Sequence, residues 1–152
     1  MSTLLRPART TPVLGDVALL LSRLAIGFVL LAHGWQKYSE YTLDGTTAAF
    51  TDMGVPAPGA AALFATVVEV LGGLALIVGL LTPVFAALNV LNLAGAFVIV
   101  HAGNGVFVED GGYELVLALI AGLVVVLALG AGRFSADELV LRRGRELTAA
   151  PR

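Results

Sequence analysis

Four long apolar stretches, separated by short polar or glycine-rich segments, dominate the hydropathy pattern of the chain. Each stretch approaches the roughly 20 residues that an α-helix needs to cross the hydrocarbon core of a bilayer. They run over Val17 to Gly34, Ala60 to Leu81, Val84 to Val100 and Tyr113 to Gly130. The pattern predicts an all-α integral membrane four-helix bundle over about residues 17–132, between an N-terminal segment (1–16) and a tail (133–152).

The breaks between the stretches predict how the helices are joined. Thr82 followed by Pro83 is typical of an N-cap with proline in the first helical turn, so the second and third helices are expected to form an antiparallel hairpin. Four glycines between Ala102 and Gly112 indicate a sharply turning loop before the fourth helix. A short amphipathic helix is predicted at about Thr46 to Met53, between the first two spans.

Composition changes this picture little but excludes several functions. Hydrophobic residues make up 58% of the chain and charged residues 13%, whereas soluble domains have about 45–50% and about 25%. The chain has no cysteine, so it forms no disulfide and offers no thiol as nucleophile, metal ligand or redox centre. No basic run interleaved with aromatic residues is present, which excludes nucleic acid as a partner and leaves the lipid bilayer.

The basic residues predict the orientation of the chain. Seven of the nine Lys and Arg residues lie before the first span or after the fourth. The positive-inside rule places that side in the cytoplasm, so both termini are expected there. The tail mixes arginines with acids, and we expect a short surface helix that begins near Ser135 and contacts lipid headgroups.

Six ionisable side chains lie in or at the rims of the spans, and five of them are expected in the outer half of the membrane. They are Arg23, His33, Lys37, Glu69, His101 and Glu114. Glu69 is the most informative, because a charge near the bilayer centre costs about 3 kcal/mol on insertion scales. It shares a helical face with small residues that allow close helix packing, which predicts that it points into the bundle. These residues are Ala62, Ala65, Thr66, Gly72 and Gly73.

The first helix carries a stripe that could pair with this face, formed by Arg23, Gly27, Leu30, Gly34 and Lys37. Glu69 either forms a buried ion pair that fixes helix register or acts as a functional carboxyl. Arg23 either snorkels to the headgroups or pairs with Glu69, and pairing is slightly favoured. The sharpest hypothesis places Glu69 at the centre of an outer polar pocket that His33 and Lys37 complete, with Glu114 and His101 at its mouth. The amides of Asn89 and Asn92 indicate interhelical hydrogen bonds, with no further role assigned.

Several short motifs, in their order along the four spans, resemble the DoxX family. They are Arg23-Leu-Ala-Ile-Gly27, His33-Gly34-Trp35-Gln36-Lys37, Met53-Gly54-Val55-Pro56, Glu69-Val70-Leu71-Gly72-Gly73, Gly79-Leu80-Leu81-Thr82 and Asp110-Gly111-Gly112-Tyr113-Glu114. The resemblance implies a small membrane subunit of an oxidoreductase system in the bacterial plasma (inner) membrane. It also implies redox or sulfurtransferase partner proteins, and links to thiosulfate and quinone chemistry. Arg23, His33, Lys37, Glu69 and Glu114 match the family pattern, and His101 matches it less closely.

Four functions remain open at the level of sequence, and whether the chain is an enzyme is left undecided. The first is a redox-complex subunit that binds a quinone-like ligand in the outer pocket. The second is a non-catalytic assembly subunit, and the third is a small proton-coupled transporter. The fourth is a metal site built from His33, His101, Glu69 and Glu114, which the nearby Lys37 opposes, so no metal is assigned. Oligomerisation is compatible with each of these functions.

Overall fold

The computed structural model describes residues 11–149, and the predicted all-α fold is confirmed. The helices are α1 (Pro12–Ser39), α2 (Thr42–Asp52), α3 (Pro58–Val78), α4 (Thr82–Ala96), α5 (Glu114–Leu129) and α6 (Ala136–Ala149). A π-helical turn, Phe97–His101, continues α4, and a 3₁₀ turn, Val108–Asp110, precedes α5. The arginines at positions 6, 9 and 152, which contribute to the predicted orientation, lie outside the described residues, and the orientation stays a prediction.

Three of the described helices are long and apolar enough to cross a membrane: α1, α3, and α4 together with its π-turn. The fourth predicted span corresponds to α5, a shorter apolar helix of 16 residues. Helix α1 has 28 residues, about 42 Å at the usual rise per residue. It continues past its predicted end at Gly34 as far as Ser39, which carries Lys37 on a helix rather than in a loop.

Helices α1 and α3 pack closely through glycines. A Cβ added at Gly27 would lie 2.8 Å from the carbonyl oxygen of Gly73, and one added at Gly73 would lie 2.6 Å from the backbone nitrogen of Leu31. Small residues allow this close approach of two helix backbones in a membrane. The predicted inward face of α3 is confirmed, since its small residues and Glu69 are all buried.

The rest of the core lies between α1, α3, α4 and α5. Leu30, Leu76, Leu93 and Leu123 contribute to one buried cluster, with α4 packed against both α3 and α5. The outward faces are apolar as well, for example Phe28 at 67% exposure. Exposed apolar side chains are expected where lipid replaces water as the solvent.

The α3–α4 hairpin is confirmed, but the prediction that Thr82 is its N-cap is wrong. Helix α4 begins at Thr82 itself, and the cap position is Leu81, in a left-handed conformation with φ of 49°. The hydroxyl of Thr82 is buried without a partner. Asp137 caps the helix instead, since its Oδ1 accepts from the N–H of Leu81 at 2.7 Å and its Oδ2 from that of Thr82 at 3.0 Å.

The two short helices lie close to where the sequence predicts them. Helix α2 begins at Thr42, four residues before its predicted start, because the Thr42 hydroxyl accepts a hydrogen bond from the N–H of Gly45 at 3.3 Å. Helix α6 begins at Ala136 as expected, since the hydroxyl of Ser135 accepts from the N–H of Glu138 at 3.2 Å.

Candidate functional site

A buried polar cluster joins α1, α3 and α4 through the carboxylate of Glu69, which is 5% exposed. Lys37 Nζ donates to Glu69 Oε2 at 2.6 Å, and Asn92 Nδ2 donates to Glu69 Oε1 at 3.1 Å. Glu69 is therefore held as a doubly hydrogen-bonded carboxylate paired with an ammonium, the arrangement that makes burial of a charge tolerable.

Local sequence explains how α1 delivers Lys37 to this carboxylate. Gly34 lies one turn before Lys37, and a Cβ there would be 2.9 Å from the Cβ of Glu69. Only glycine allows α1 and α3 to approach so closely at this level. Lys37 also occupies the last turn of α1, where the helix dipole favours a cation.

A cavity of about 950 Å³ adjoins the cluster. Helices α1, α2, α3 and α4 with its π-turn all contribute to its lining, which is mostly apolar, including Phe50, Met53 and Phe64. Leu91 of α4 and Ile99 of the π-turn also line it and are 65% and 42% exposed. The cavity therefore opens towards the surface that faces lipid.

The two histidines line this cavity, and in each ring Nδ1 is hydrogen-bonded to a backbone carbonyl. His33 Nδ1 lies 2.9 Å from the carbonyl oxygen of Val29, and His101 Nδ1 lies 2.7 Å from that of Gly111. A carbonyl oxygen only accepts, so Nδ1 carries the hydrogen in both rings. In a neutral imidazole, the other nitrogen, Nε2, is then a hydrogen-bond acceptor.

The π-turn places His101 in the lining. The N–H of Ala102 donates to the carbonyl of Phe97 at 2.8 Å, a bond that spans five residues instead of four. Turns of this kind widen a helix and occur frequently at functional sites. The ring of Phe97 in turn packs edge-on against Tyr113, with 5.4 Å between centroids.

Four of the six predicted site residues come together in the lining, namely His33, Lys37, Glu69 and His101. Glu114 does not line the cavity. Its Oε1 accepts from the N–H of Val108 at 2.9 Å and so orders the loop before α5.

Arg23 lies elsewhere, and the favoured pairing of Arg23 with Glu69 is wrong. Its side chain is fully buried, and Nη2 donates to the carbonyl of Phe134 at 2.6 Å. Arg23 and Lys37 are 14 positions apart on α1, about 21 Å along the helix. Only one of them can reach Glu69, and the register of α1 against α3 selects Lys37.

Sequence reasoning missed two contributors to the site. Asn92 was assigned only a general interhelical role, although a mid-membrane amide within reach of a buried acid is a natural donor to it. Thr46 on α2 is buried, and its hydroxyl shares one hydrogen between the carbonyl of Thr42 at 2.9 Å and that of Lys37 at 3.2 Å, which holds α2 against the end of α1. No local signal in the sequence pointed to that contact.

Within the part of the chain that the structure describes, no three His, Asp or Glu side chains are grouped closely enough to hold a metal ion. The carboxylate of Glu69 is instead occupied by an ammonium and an amide.

Comparison with known proteins shows a match to one protein family and similarity to several of its relatives. The DoxX family model matches residues 18–102. An uncharacterized membrane protein of Mycobacterium tuberculosis is 29% identical over 139 residues, which cover 85% of each chain. CatD of Bacillus subtilis, named as a candidate oxidoreductase, is 28% identical over 86% of this chain and 92% of its own. The inner membrane protein YphA of Escherichia coli is 29% identical over 80% of this chain and 89% of its own. No solved structure matches the chain.

Proposed function

The chain belongs to the DoxX family of membrane proteins, and from that premise we propose that it is a membrane component of an oxidoreductase system that binds a quinone-like ligand. One observation carries this proposal. The Lys37–Glu69 pair lies at a cavity that is otherwise mostly apolar and opens towards lipid. A ligand of this site needs a polar head and an apolar body.

The size and chemistry of the cavity fit such a ligand. A volume of about 950 Å³ lies at the upper end of the range of about 300–1,000 Å³ for small-molecule sites. An ammonium carries three N–H donors, and Lys37 uses one of them on Glu69. The remaining donors are available to a ring oxygen, while Asn92 keeps the carboxylate in place. The redox half of the proposal is supported by the name of the Bacillus relative.

A second candidate, an assembly subunit without a ligand, is favoured by a different feature of the same contacts. The Lys37–Glu69 pair joins α1 to α3, and Thr46 joins α2 to α1. These contacts would be needed for packing even in a protein that binds nothing. Filling the cavity separates the two functions, because it removes space and leaves these hydrogen bonds intact.

Gly95→Phe is the substitution that fills the cavity. Gly95 lines the cavity, and a Cβ built there meets nothing within 4 Å. The protein should fold normally, but titration with a short-chain benzoquinone in lipid nanodiscs should give affinity at least ~10-fold weaker than that of the unchanged protein. Quenching of Trp35, the single tryptophan, reports binding. Gly144→Phe on α6, equally open, is the matched control. If the unchanged protein shows no saturable binding, the proposal of a bound quinone is wrong and the assembly function is favoured.

Glu69→Gln tests the polar head of the site. The amide is nearly isosteric, so the fold should persist while ligand retention and activity in a complemented deletion strain are lost. Glu109→Gln, in the exposed 3₁₀ turn before α5, should behave as the unchanged protein. Full rescue by Glu69→Gln at normal expression would reduce Glu69 to a packing residue.

We place the protein in the bacterial plasma (inner) membrane with both termini in the cytoplasm, residues 17–132 as the membrane domain, and the cavity in the outer leaflet. The chain has no cysteine, so single cysteines are clean reporters. Asp44→Cys and Gly105→Cys should react with an impermeant thiol reagent on intact cells, and Arg143→Cys should not. Labelling of Arg143→Cys from outside would show that the proposed orientation is wrong. Native mass spectrometry of the gently extracted protein would test for redox or sulfurtransferase partners and for oligomers.

A further inference from the structure

The second half of α6 is exposed on all sides of the helix. Every residue from Leu139 to Glu146 is exposed. Leu139, Val140 and Leu141 are 54%, 62% and 55% exposed. A group of large apolar side chains at this level of exposure marks a surface that contacts another protein or a membrane.

The apolar and charged side chains of α6 lie mainly on different faces. Ala136, Leu139 and Val140 follow the i, i+3, i+4 spacing of one helical face. The opposite face carries charges at the i, i+4, i+7 spacing, namely Glu138, Arg142 and Arg145. Arg143 also lies on the apolar face, where a long side chain can extend past its neighbours to a lipid headgroup. Helices of this kind lie in the plane of a membrane surface.

The first turn of α6 is bonded to a part of the bundle that lies at the membrane surface. Helix α3 and helix α4 with its π-turn are both long enough to cross the membrane, so the turn between them, residues 79–81, lies at one edge of it. The N–H of Asp137 donates to the carbonyl of Gly79 at 2.9 Å, and its carboxylate accepts from the N–H groups of Leu81 and Thr82. The exposed apolar residues begin two positions later, about 3 Å along the helix axis, and are therefore within reach of the lipid chains.

Attraction between arginines and headgroups is too weak to explain how such a helix would be held. The sequence alone predicts contact between the tail and lipid headgroups, but α6 contains three arginines and three acids and has no net charge. Arg142 is also bonded to Glu138 within the helix. Anionic headgroups attract clusters with an excess of basic residues, so the apolar face is left as the main source of membrane binding.

We propose that α6 is an interfacial helix, which lies in the plane of the bilayer surface with Leu139 and Val140 among the lipid chains and fastens the α3–α4 turn to the membrane. Its partner is the lipid surface, whatever the charge of the headgroups. Leu141 is as exposed as Leu139 in the structure but lies about 160° away around the helix. It should therefore remain in water. The proposal does not depend on a ligand in the cavity.

Fluorescent labels on single cysteines measure how deeply each face enters the bilayer, since the chain has no cysteine of its own. Leu139→Cys and its matched control Leu141→Cys carry the label in the full chain, in nanodiscs that hold one copy and contain phosphatidylcholine with brominated acyl chains. Bromine should quench the label at Leu139→Cys at least ~3-fold more strongly, because apolar faces of interfacial helices enter the bilayer by about 5–10 Å. Dissolved iodide should show the opposite order.

Two results of this experiment would overturn the proposal. Equal quenching of the two labels by bromine would mean that neither face enters the lipid. Protection of the label at Leu139→Cys from both quenchers would mean that protein, and not lipid, covers the apolar face.

Lipid charge and salt separate insertion from headgroup attraction. Quenching at Leu139→Cys should stay the same when phosphatidylglycerol replaces half of the lipid, and in about 1 M salt, where the Debye length is about 3 Å. Quenching that requires anionic lipid and disappears in salt would overturn the role of the apolar face.

Variants of the apolar face show whether its two large residues hold the helix. In a chain labelled at Arg143→Cys, on the same face, Leu139→Gln combined with Val140→Gln should reduce quenching by brominated lipid at least ~3-fold. The bundle should fold as before, because both side chains are exposed. Leu141→Gln is the control and should leave the quenching unchanged. Equal quenching in the double variant and in Leu141→Gln would overturn the assignment of this face.

Discussion

The buried charged side chains at the two ends of the helical bundle, Arg23 and Glu69, have different kinds of partner. At the end where the α3–α4 turn meets α6, here called the tail end, Arg23 bonds to the carbonyl of Phe134, and Asp137 bonds to the N–H groups of Leu81 and Thr82. These side chains bind backbone. At the cavity end, Lys37 and Asn92 bind another side chain, the carboxylate of Glu69.

We interpret this difference as separating a structural end from the end that holds the candidate site. Backbone groups left over at a helix terminus must be satisfied in any case, and the tail end satisfies them with little space remaining. A Cβ at Gly79 would collide with the guanidinium of Arg23 and with Ser135. The cavity end instead keeps about 950 Å³ of space beside an ion pair that no backbone group requires. Buried polar side chains that satisfy no helix-terminal backbone group, and that lie beside open space, indicate a ligand-binding site.

The largest expected effect comes from breaking the ion pair at the cavity end. Lys37→Met leaves the 5% exposed Glu69 without its cation, and stranding a buried charge costs about 3 kcal/mol or more of folding free energy. Lys37→Met combined with Glu69→Leu should recover most of the loss, because no charge is then stranded. Thermal unfolding in detergent measures both. An unchanged transition for Lys37→Met alone would mean that the pair contributes nothing to the fold.

The next largest effect is expected at the tail end. Arg23→Met removes the 2.6 Å bond to Phe134, and hydrogen bonds from a charged group contribute about 1.5–3 kcal/mol. The folded fraction should bind the cavity ligand as before, because Arg23 does not line the cavity.

The two ends should also be energetically independent. In a double-mutant cycle with Arg23→Gln and Glu69→Gln, the two losses of unfolding free energy should add to within about 0.5 kcal/mol, because the residues share no partner. A larger coupling energy would mean that Arg23 and Glu69 interact.

The helices, and the face of α3 on which Glu69 points inward, could be predicted from the sequence. Runs of apolar residues have a length that only a membrane explains, and the small residues around Glu69 show which face of α3 points inward. The partner of Glu69 was harder to predict. Arg23 and Lys37 lie on one stripe of α1, and the choice depends on register, which the contact between Gly27 and Gly73 sets in three dimensions.

The contacts of Arg23 and Asp137 at the tail end could not be predicted from the sequence, because they join residues far apart in the chain. Asp137 caps a helix that begins 55 positions earlier, and Arg23 bonds to a carbonyl 111 positions later. Capping rules apply to neighbouring residues, so Thr82 was the natural choice for a cap although its hydroxyl has no partner. Pairings over such separations follow from packing of whole helices and leave no periodic signal.

A smaller effect is expected from the cap itself. Asp137→Ala leaves the N–H groups of Leu81 and Thr82 without their acceptor, and losing an N-cap costs about 1 kcal/mol. Hydrogen exchange at these two amides should accelerate. Asp52→Ala, an exposed acid at the end of α2, is the control. If the exchange rates at Leu81 and Thr82 stay the same in Asp137→Ala, water replaces the cap without loss.

The smallest effect belongs to an ion pair within α6 that takes no part in the tail-end contacts or in the cavity. The hydrogen bond that Arg142 donates to Glu138, 2.9 Å long, lowers the pKa of the Glu138 carboxyl. A carboxyl whose pKa is lower in the folded protein adds stability above its unfolded pKa, about 4.3 for glutamate. That stability is lost as the pH falls through the lower, folded value. Because the pair is on the surface, its contribution is small and is screened by salt.

Arg142→Gln should therefore lower the melting temperature slightly at neutral pH and not at all in strong acid, where Glu138 is protonated in both states. Added salt should shrink the difference at neutral pH. Arg143→Gln, its neighbour on the same exposed helix, removes the same charge without removing this hydrogen bond, and its effect should depend less on pH. An Arg142→Gln defect that persists at acidic pH would mean that Arg142 acts through its packing and not through Glu138.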